Sequence, residues 1–189
     1  KNFVDIGANI GYFTLFFSYL NPNAKIYSFE PNYENFQILQ KNILVNKLNN
    51  VKCYNYAVGS TNTSLKMKLS KQSGQHRIND SGDVEVNCVK LDDYVSEADF
   101  IKIDVEGYEL EVLKGMTNIL KTNNFLMIEY YYKLLKLNGE PSELLTLLEK
   151  NNYKFIDMRN NYKVSTIKDI LTQYDENSGA TDLFCYKVN

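Results

Sequence analysis

Short apolar runs alternate with segments of helical periodicity along most of the chain. A run of four to eight apolar residues bounded by turn residues is typical of a buried strand, and apolar residues three to four positions apart are typical of a helix. We predict strands at 3–6, 25–30, 51–58, 100–104, 125–130, 153–158 and 182–188. We predict helices at 12–20, from the cap residue Asn32 through Ile43, at 109–121 and at 141–151. This alternation predicts an α/β fold, in which a mostly parallel, Rossmann-like sheet carries helices on both faces.

The segment between residues 60 and 90 departs from this alternation. Apolar and polar residues alternate over 65–69 and again over 84–88, with a polar loop at 70–83 between them. A period of two predicts two strands around that loop. We therefore expect one domain over residues 1–189, with a hairpin or loop insertion at 60–90.

Composition and charge narrow the classes of partner. The chain has 21 basic and 23 acidic residues, so a net charge of −2 gives no electrostatic surface for nucleic acid. No apolar run approaches the roughly 18 residues of a membrane span, and no signal peptide opens the chain. We expect a soluble, cytoplasmic protein. Because the chain starts at Lys1 and enters a strand at once, we also expect residues upstream in the full protein.

The ends of the first two strands carry the strongest candidate for a ligand site. Asp5 ends the first strand, Gly7 and Gly11 flank the turn that follows, and Glu30 ends the second strand 19 residues after Gly11. Glycine lets the backbone approach a ligand, and an acid at the second strand end can accept hydrogen bonds from both ribose hydroxyls of an adenosine cofactor. Asp5 can accept a hydrogen bond from a ligand amine.

The residues inside the turn distinguish between adenosine cofactors. A dinucleotide site has glycine at the second and third fingerprint positions, where the backbone must admit a pyrophosphate. Asn9 and Tyr12 stand there in this chain and would crowd it. A cofactor without phosphates and with an amino-acid tail fits better, so we predict S-adenosylmethionine.

These segments resemble the FkbM family of S-adenosylmethionine-dependent methyltransferases. The resemblance rests on Val4–Gly11, Phe29–Asn32, Leu91–Asp92 and Ile101–Glu109, followed by Leu113 and Gly115. It implies the class I methyltransferase fold, with seven strands of which the last is antiparallel and inserted beside the fifth. It also implies O-methylation of a small molecule, sugar, glycan or lipid-type acceptor.

The resemblance further implies the roles of individual residues. Asp5, Gly7, Asn9 and Gly11 would surround the methionine moiety, with Tyr12 next to them and Glu30 and Pro31 at the ribose. Tyr56 and Ala57 would lie near the adenine.

Transfer of a methyl group to a hydroxyl also needs a proton acceptor. Asp104, at the end of the fourth strand, is our first candidate, and it could instead hold the cofactor amine. Glu106 could orient either group, or it could only cap the helix that follows. His76, the only histidine, could be the base if its loop folds over the acceptor. A metal-assisted alternative would place Mg²⁺ on Asp104 and Glu129.

We therefore expect an O-methyltransferase. Two other classes remain open: a non-catalytic module that binds an adenosine cofactor, and an NAD-type Rossmann oxidoreductase, which Asn9 and Tyr12 disfavour.

Overall fold

The computed structural model describes residues 1–188, which form twelve strands and seven α-helices. The strands are β1 (Asn2–Ile6), β2 (Lys25–Phe29), β3 (Val51–Tyr54), β4 (Ala57–Val58), β5 (Thr63–Lys68), β6 (Arg77–Ile78), β7 (Val84–Val89), β8 (Phe100–Ile103), β9 (Phe125–Tyr130), β10 (Tyr153–Asp157), β11 (Lys163–Ser165) and β12 (Thr181–Lys187). The α-helices are α1 (Tyr12–Leu20), α2 (Tyr33–Val45), α3 (Glu109–Lys114), α4 (Thr117–Thr122), α5 (Tyr132–Leu135), α6 (Pro141–Lys150) and α7 (Ile167–Gln173).

Eight strands build the large sheet, in the order β11-β10-β12-β9-β8-β1-β2-β3. β1 pairs in parallel with β2 and β8, and β12 is antiparallel to both β9 and β10. The insertion of an antiparallel last strand beside the fifth large-sheet strand is therefore confirmed. The large sheet has eight strands instead of the expected seven. The additional edge strand is β11, which is short and polar, so no apolar run predicted it.

The single strand predicted over 51–58 is two strands in different sheets. β3 pairs with β2 in the large sheet, whereas β4 pairs with β7. Asn55 stands at the break, and its side-chain amide donates to the backbone carbonyls of Glu30 and Pro31 at 2.9 and 3.0 Å. The chain thus leaves the large sheet just beside the end of β2.

The predicted helix over 109–121 is also interrupted. A Cβ on Gly115 would lie 1.9 Å from the carbonyl oxygen of Gly59, so the chain after β4 passes directly against the end of α3. A separate helix, α4, begins at Thr117. The Asp92 carboxylate binds its first turn by accepting hydrogen bonds from the amides of Asn118 and Ile119 at 2.9 and 3.1 Å. Close contact with a distant segment ends α3, which periodicity alone does not show.

The core lies mainly between the large sheet and the layer formed by α3, α4, α6 and α7. Its buried side chains include Val4, Ile101, Ile128 and Leu183 from the strands and Val112, Leu113, Leu145 and Ile170 from the helices. Within residues 1–188, none of the helices combines the length and apolar character that crossing a bilayer requires.

On the other face of the sheet, α1 turns its polar side inward. Thr14 donates a hydrogen bond of 2.6 Å to Asp5, and Ser18 donates one of 2.8 Å to Asn50. Tyr12 and Tyr19 remain 72% and 83% exposed. These hydroxyl groups and the ring of Phe17, which stacks on Phe3 of β1 with ring centres 4.1 Å apart, together hold this helix against the sheet.

The expected insertion folds as most of a second sheet, in the order β4-β7-β5-β6. β5 and β7 are antiparallel, and the segment between them contains β6 and a short 3-10 helix over Ser73–Gln75. Ala57, Met67, Val86 and Cys88 form its own small core.

The contact between Gly115 and Gly59 predicts a steric effect on stability. We expect Gly115→Ala to lower the free energy of unfolding by about 1–3 kcal/mol, because the added methyl group meets a backbone carbonyl that cannot move aside. Gly74→Ala is the matched control, since its Cβ would come no closer than 3.4 Å to another group. Urea unfolding of both variants checks this, and equal midpoints would contradict it.

Candidate active site

A cavity of about 200 Å³ opens at the carboxyl ends of β1, β2 and β8. Ten of the twelve residues predicted for the site line it: Gly7, Asn9, Tyr12, Glu30, Pro31, Tyr56, Ala57, His76, Asp104 and Glu106. Asp5 and Gly11 are not among the lining residues. The strand ends of the large sheet thus form the floor, and residues of the second sheet form part of the wall.

The two glycines of the turn after β1 stand where neighbouring groups leave no room for a side chain. A Cβ on Gly7, whose φ is 76°, would lie 1.8 Å from the carbonyl oxygen of Asp104, so glycine lets the ends of β1 and β8 come together. Gly11 has a φ of 96°, and its missing side chain makes room for Leu39 of α2. Gly11 therefore makes room for the packing of α2 against α1, and it does not line the cavity; its contact with the cofactor stays a prediction.

Asp5 lies beneath the turn instead of facing the cavity. It is fully buried, accepts a hydrogen bond from Thr14, and places Oδ1 3.7 Å from Nζ of Lys102. This burial corrects the expectation that Asp5 itself receives the amine of a ligand.

Glu30 faces the cavity while being held by the backbone. Its Oε2 accepts a hydrogen bond of 2.8 Å from the amide of Asn9, and its Oε1 accepts one of 2.8 Å from the amide of Asn32. Each carboxylate oxygen has a second lone pair that can accept from a ligand hydroxyl. Burial raises the pKa of Glu30 to about 7.

Lys102 is a residue of the site that the sequence patterns missed. It is 3% exposed, and its Nζ lies 3.2 Å from Oδ2 of Asp104 and donates a hydrogen bond of 3.0 Å to the carbonyl oxygen of Gly7. The available signal was a single lysine inside the apolar strand at 100–103. Burial disfavours its ammonium form, but the charges of Asp5 and Asp104 outweigh burial and raise the pKa of Lys102.

Glu106 stands in a turn whose backbone is held from below. Its φ is 56°, in the left-handed region, and Gly107 follows with a φ of 100°. The buried carboxylate of Glu109 accepts hydrogen bonds from the amides of Val105 and Gly107 at 3.1 and 3.2 Å. Glu109 thus holds the turn before α3, and no side chain caps the start of that helix, so the capping that we considered for Glu106 is not seen. The Glu106 side chain lines the cavity instead.

The two carboxylates at the end of β8 differ in their surroundings. Asp104 pairs with Lys102 while 40% of its side chain stays exposed. Burial, followed by the negative charge of Asp104, raises the pKa of Glu106 to about 7. A carboxylate with a pKa near neutrality suits the role of proton acceptor, because it is both available and basic enough at physiological pH, and we therefore favour Glu106.

His76 reaches the cavity from the second sheet. Its Nδ1 accepts a hydrogen bond of 3.0 Å from the amide of Ser70, which makes Nε2 the protonated nitrogen of the neutral ring. Asn35 fastens the neighbouring turn to α2 by a hydrogen bond of 3.0 Å to the carbonyl oxygen of Ser73. In this tautomer His76 presents a donor to the cavity, which argues against our hypothesis that it is the base.

The metal-assisted alternative requires a group of acidic side chains that could share one ion. Among residues 1–188, no three His, Cys, Asp or Glu side chains come together in a way that could hold a metal ion. Glu129 does not line the cavity, and burial together with the charge of Asp104 raises its pKa to about 9. The pair of Asp104 and Glu129 thus gains no support as a ligand set.

Comparison with known proteins supplies several relatives. The hexuronic acid methyltransferase AglP of Haloferax volcanii is 31% identical over 153 residues, which cover 77% of this chain and 60% of that protein. The methyltransferase sdnD of Sordaria araneosa is 29% identical over 153 residues, with 60% of this chain and 59% of that protein covered. The chain therefore spans about three-fifths of the length of these curated relatives.

Solved structures share the fold at low identity. The methyltransferase FkbM of Methylobacillus flagellatus matches with a TM-score of 0.65 and 19% identity, covering 98% of this chain and 43% of that one. A Streptococcus mutans protein solved in complex with SAH matches with a TM-score of 0.60 and 15% identity, covering 100% and 89%. Both support the class I methyltransferase fold.

The sequence profile of the methyltransferase FkbM domain matches residues 5–155, which contain every residue that lines the cavity. The chain belongs to the FkbM methyltransferase domain family.

Proposed function

We propose that this chain binds S-adenosylmethionine in the cavity and transfers its methyl group to a hydroxyl oxygen of a sugar or other small molecule. The observation that carries the proposal is the convergence of Glu30, Asp104 and Glu106 on one cavity beside the glycine turn. The relative that acts on hexuronic acid supports an acceptor of the sugar class.

The polar groups of the cavity fit such a cofactor. Oδ1 of Asn9 is buried without a hydrogen-bond partner, so it offers an acceptor to a ligand donor. Glu30 offers further lone pairs for the two ribose hydroxyls, and Tyr56 and Ala57, which line the same cavity, would contact the adenine. Asp104, whose side chain is 40% exposed, would accept from the cationic amine of the methionine moiety.

The sulfonium supplies an electrophilic methyl group when the cofactor is bound. What the protein adds is position and a proton acceptor. Asn9, Glu30 and Asp104 would hold the cofactor, and an acceptor hydroxyl beside it would take up the methyl group and leave S-adenosylhomocysteine. Glu106 would take up the proton that this hydroxyl loses. Held orientation of this kind can contribute about 7–11 kcal/mol, and a placed base about 10²–10⁴-fold in rate.

Ligand binding tests the cofactor class first. S-adenosylhomocysteine should raise the melting temperature, since a ligand at 100 times its Kd stabilises the native state by about 2.7 kcal/mol. NAD should leave it unchanged, because Asn9 and Tyr12 crowd a pyrophosphate. A thermal-shift assay with each ligand measures these changes. An equal rise of the melting temperature with NAD would favour the oxidoreductase alternative.

The ribose contact is tested at Glu30. Glu30→Gln keeps the shape but replaces a charge-assisted acceptor, so we expect binding of S-adenosylhomocysteine to weaken at least tenfold. Glu34→Gln, on the exposed side of α2, is the matched control. Calorimetric titration of both variants measures the affinity. An affinity within twofold of wild type for Glu30→Gln would contradict a contact between Glu30 and the ribose.

The identity of the base is tested by three variants and a pH profile. With hexuronic acids as the acceptor panel, Glu106→Gln should lower turnover by ~10²-fold or more, because an amide cannot take up the proton. His76→Gln, which keeps a side-chain donor, should keep most of the turnover. Asp104→Asn should act mainly on cofactor affinity.

The wild-type rate should rise with pH through about 7, as Glu106 loses its proton and becomes able to accept one. Full turnover in Glu106→Gln, or loss of turnover in His76→Gln alone, would show that Glu106 is not the base. Binding of S-adenosylhomocysteine without turnover on any acceptor would favour the non-catalytic module.

A further inference from the structure

Lys102 is the most deeply buried cation of the site. Its side chain is 4% exposed and lies under the cavity, with Nζ 5.4 Å from the centre of the Phe13 ring. Two carboxylates and one carbonyl oxygen surround that nitrogen: Asp5 at 3.7 Å, Asp104 at 3.2 Å and the Gly7 carbonyl at 3.0 Å. A buried ammonium persists only where such partners compensate for its lost hydration.

The register of the sheet creates this cluster. β1 and β8 pair so that Asp5 stands beside Lys102, and Lys102 and Asp104 are two positions apart on the same strand face. The lysine therefore touches the turn after β1 through Gly7 and the end of β8 through Asp104. It joins two backbone segments that border the cavity.

We propose that Lys102 is a positioning residue, which fixes Asp104 and the glycine turn so that this part of the cavity recognises the ammonium group of an amino-acid moiety. The inference rests on the proposed function and deepens it. Lys102 does not itself contact the ammonium group, since both are cations; it acts through Asp104.

The charges of the cluster explain why an ammonium group is the ligand. With both carboxylates ionised, Asp5, Lys102 and Asp104 carry a combined charge of −1. Asp5 is wholly buried, so Lys102 compensates it internally, whereas 40% of the Asp104 side chain is exposed beside the cavity. The remaining negative charge is thus presented at Asp104, and a ligand ammonium would neutralise it.

A comparison of two nucleosides separates this role from a merely structural one. S-adenosylhomocysteine carries the amino-acid moiety, whereas 5′-methylthioadenosine has the same adenine, ribose and sulfur without it. Lys102→Met alone leaves Asp5 buried and unpaired, so it is expected to be less stable than wild type. The double variant Asp5→Asn with Lys102→Met removes both buried charges and serves as the folded test protein.

In the double variant we expect S-adenosylhomocysteine to bind at least tenfold more weakly, and 5′-methylthioadenosine to bind within twofold of wild type. Asp104→Asn should give the same selective loss. Adding Asp104→Asn to the double variant should cause little further loss, because residues that act through one contact are not additive.

Calorimetric titration of both nucleosides measures these affinities, with circular dichroism to confirm folding. Equal weakening of both nucleosides, or no weakening of either, would overturn the positioning role. A wild-type protein that binds neither nucleoside would overturn the proposed function itself, and this inference with it.

Discussion

The ends of β1 and β8 approach until the backbone at Gly7 lies against the carbonyl group of Asp104, leaving no space for a Cβ. Any side chain at position 7 would push the two strands apart at the edge where the cavity lies. Lys102 fastens the same junction from below, through a hydrogen bond to Gly7 and an ion pair with Asp104. The distances between the acidic groups of the site depend on this one point of contact.

Two acids of the site are held in place by groups that take no part in the proposed proton transfer. Glu30 is oriented by the amides of Asn9 and Asn32, and Glu106 is presented by a turn that Glu109 holds. Both facing acids are buried enough for the pKa to rise to about 7. Burial thus brings the pKa of these two carboxylates near neutrality, and for Glu30 it outweighs the backbone hydrogen bonds, which lower the pKa.

Local patterns were sufficient for the parts of the site that lie within one strand and one turn. The glycine turn and Glu30 could be predicted because a strand, a turn, a helix and a second strand are contiguous in the chain. Lys102 could not, because a single lysine in an apolar run shows its partner only when the register places Asp5 beside it. The break at Gly115 likewise depends on Gly59, which is 56 positions away.

The second sheet lines part of the cavity but does not hold the acidic groups in place, and this separation affects which sequence changes the fold can tolerate. It contributes Met67, His76 and Ile78 to the wall of the cavity, but none of the groups that hold Glu30 or Lys102 in place. Substitutions or length changes between β5 and β7 can therefore remodel that wall while the junction of β1 and β8 stays intact. Under the proposed function, such changes would alter which acceptor fits the cavity while the residues proposed to hold the cofactor stay in place.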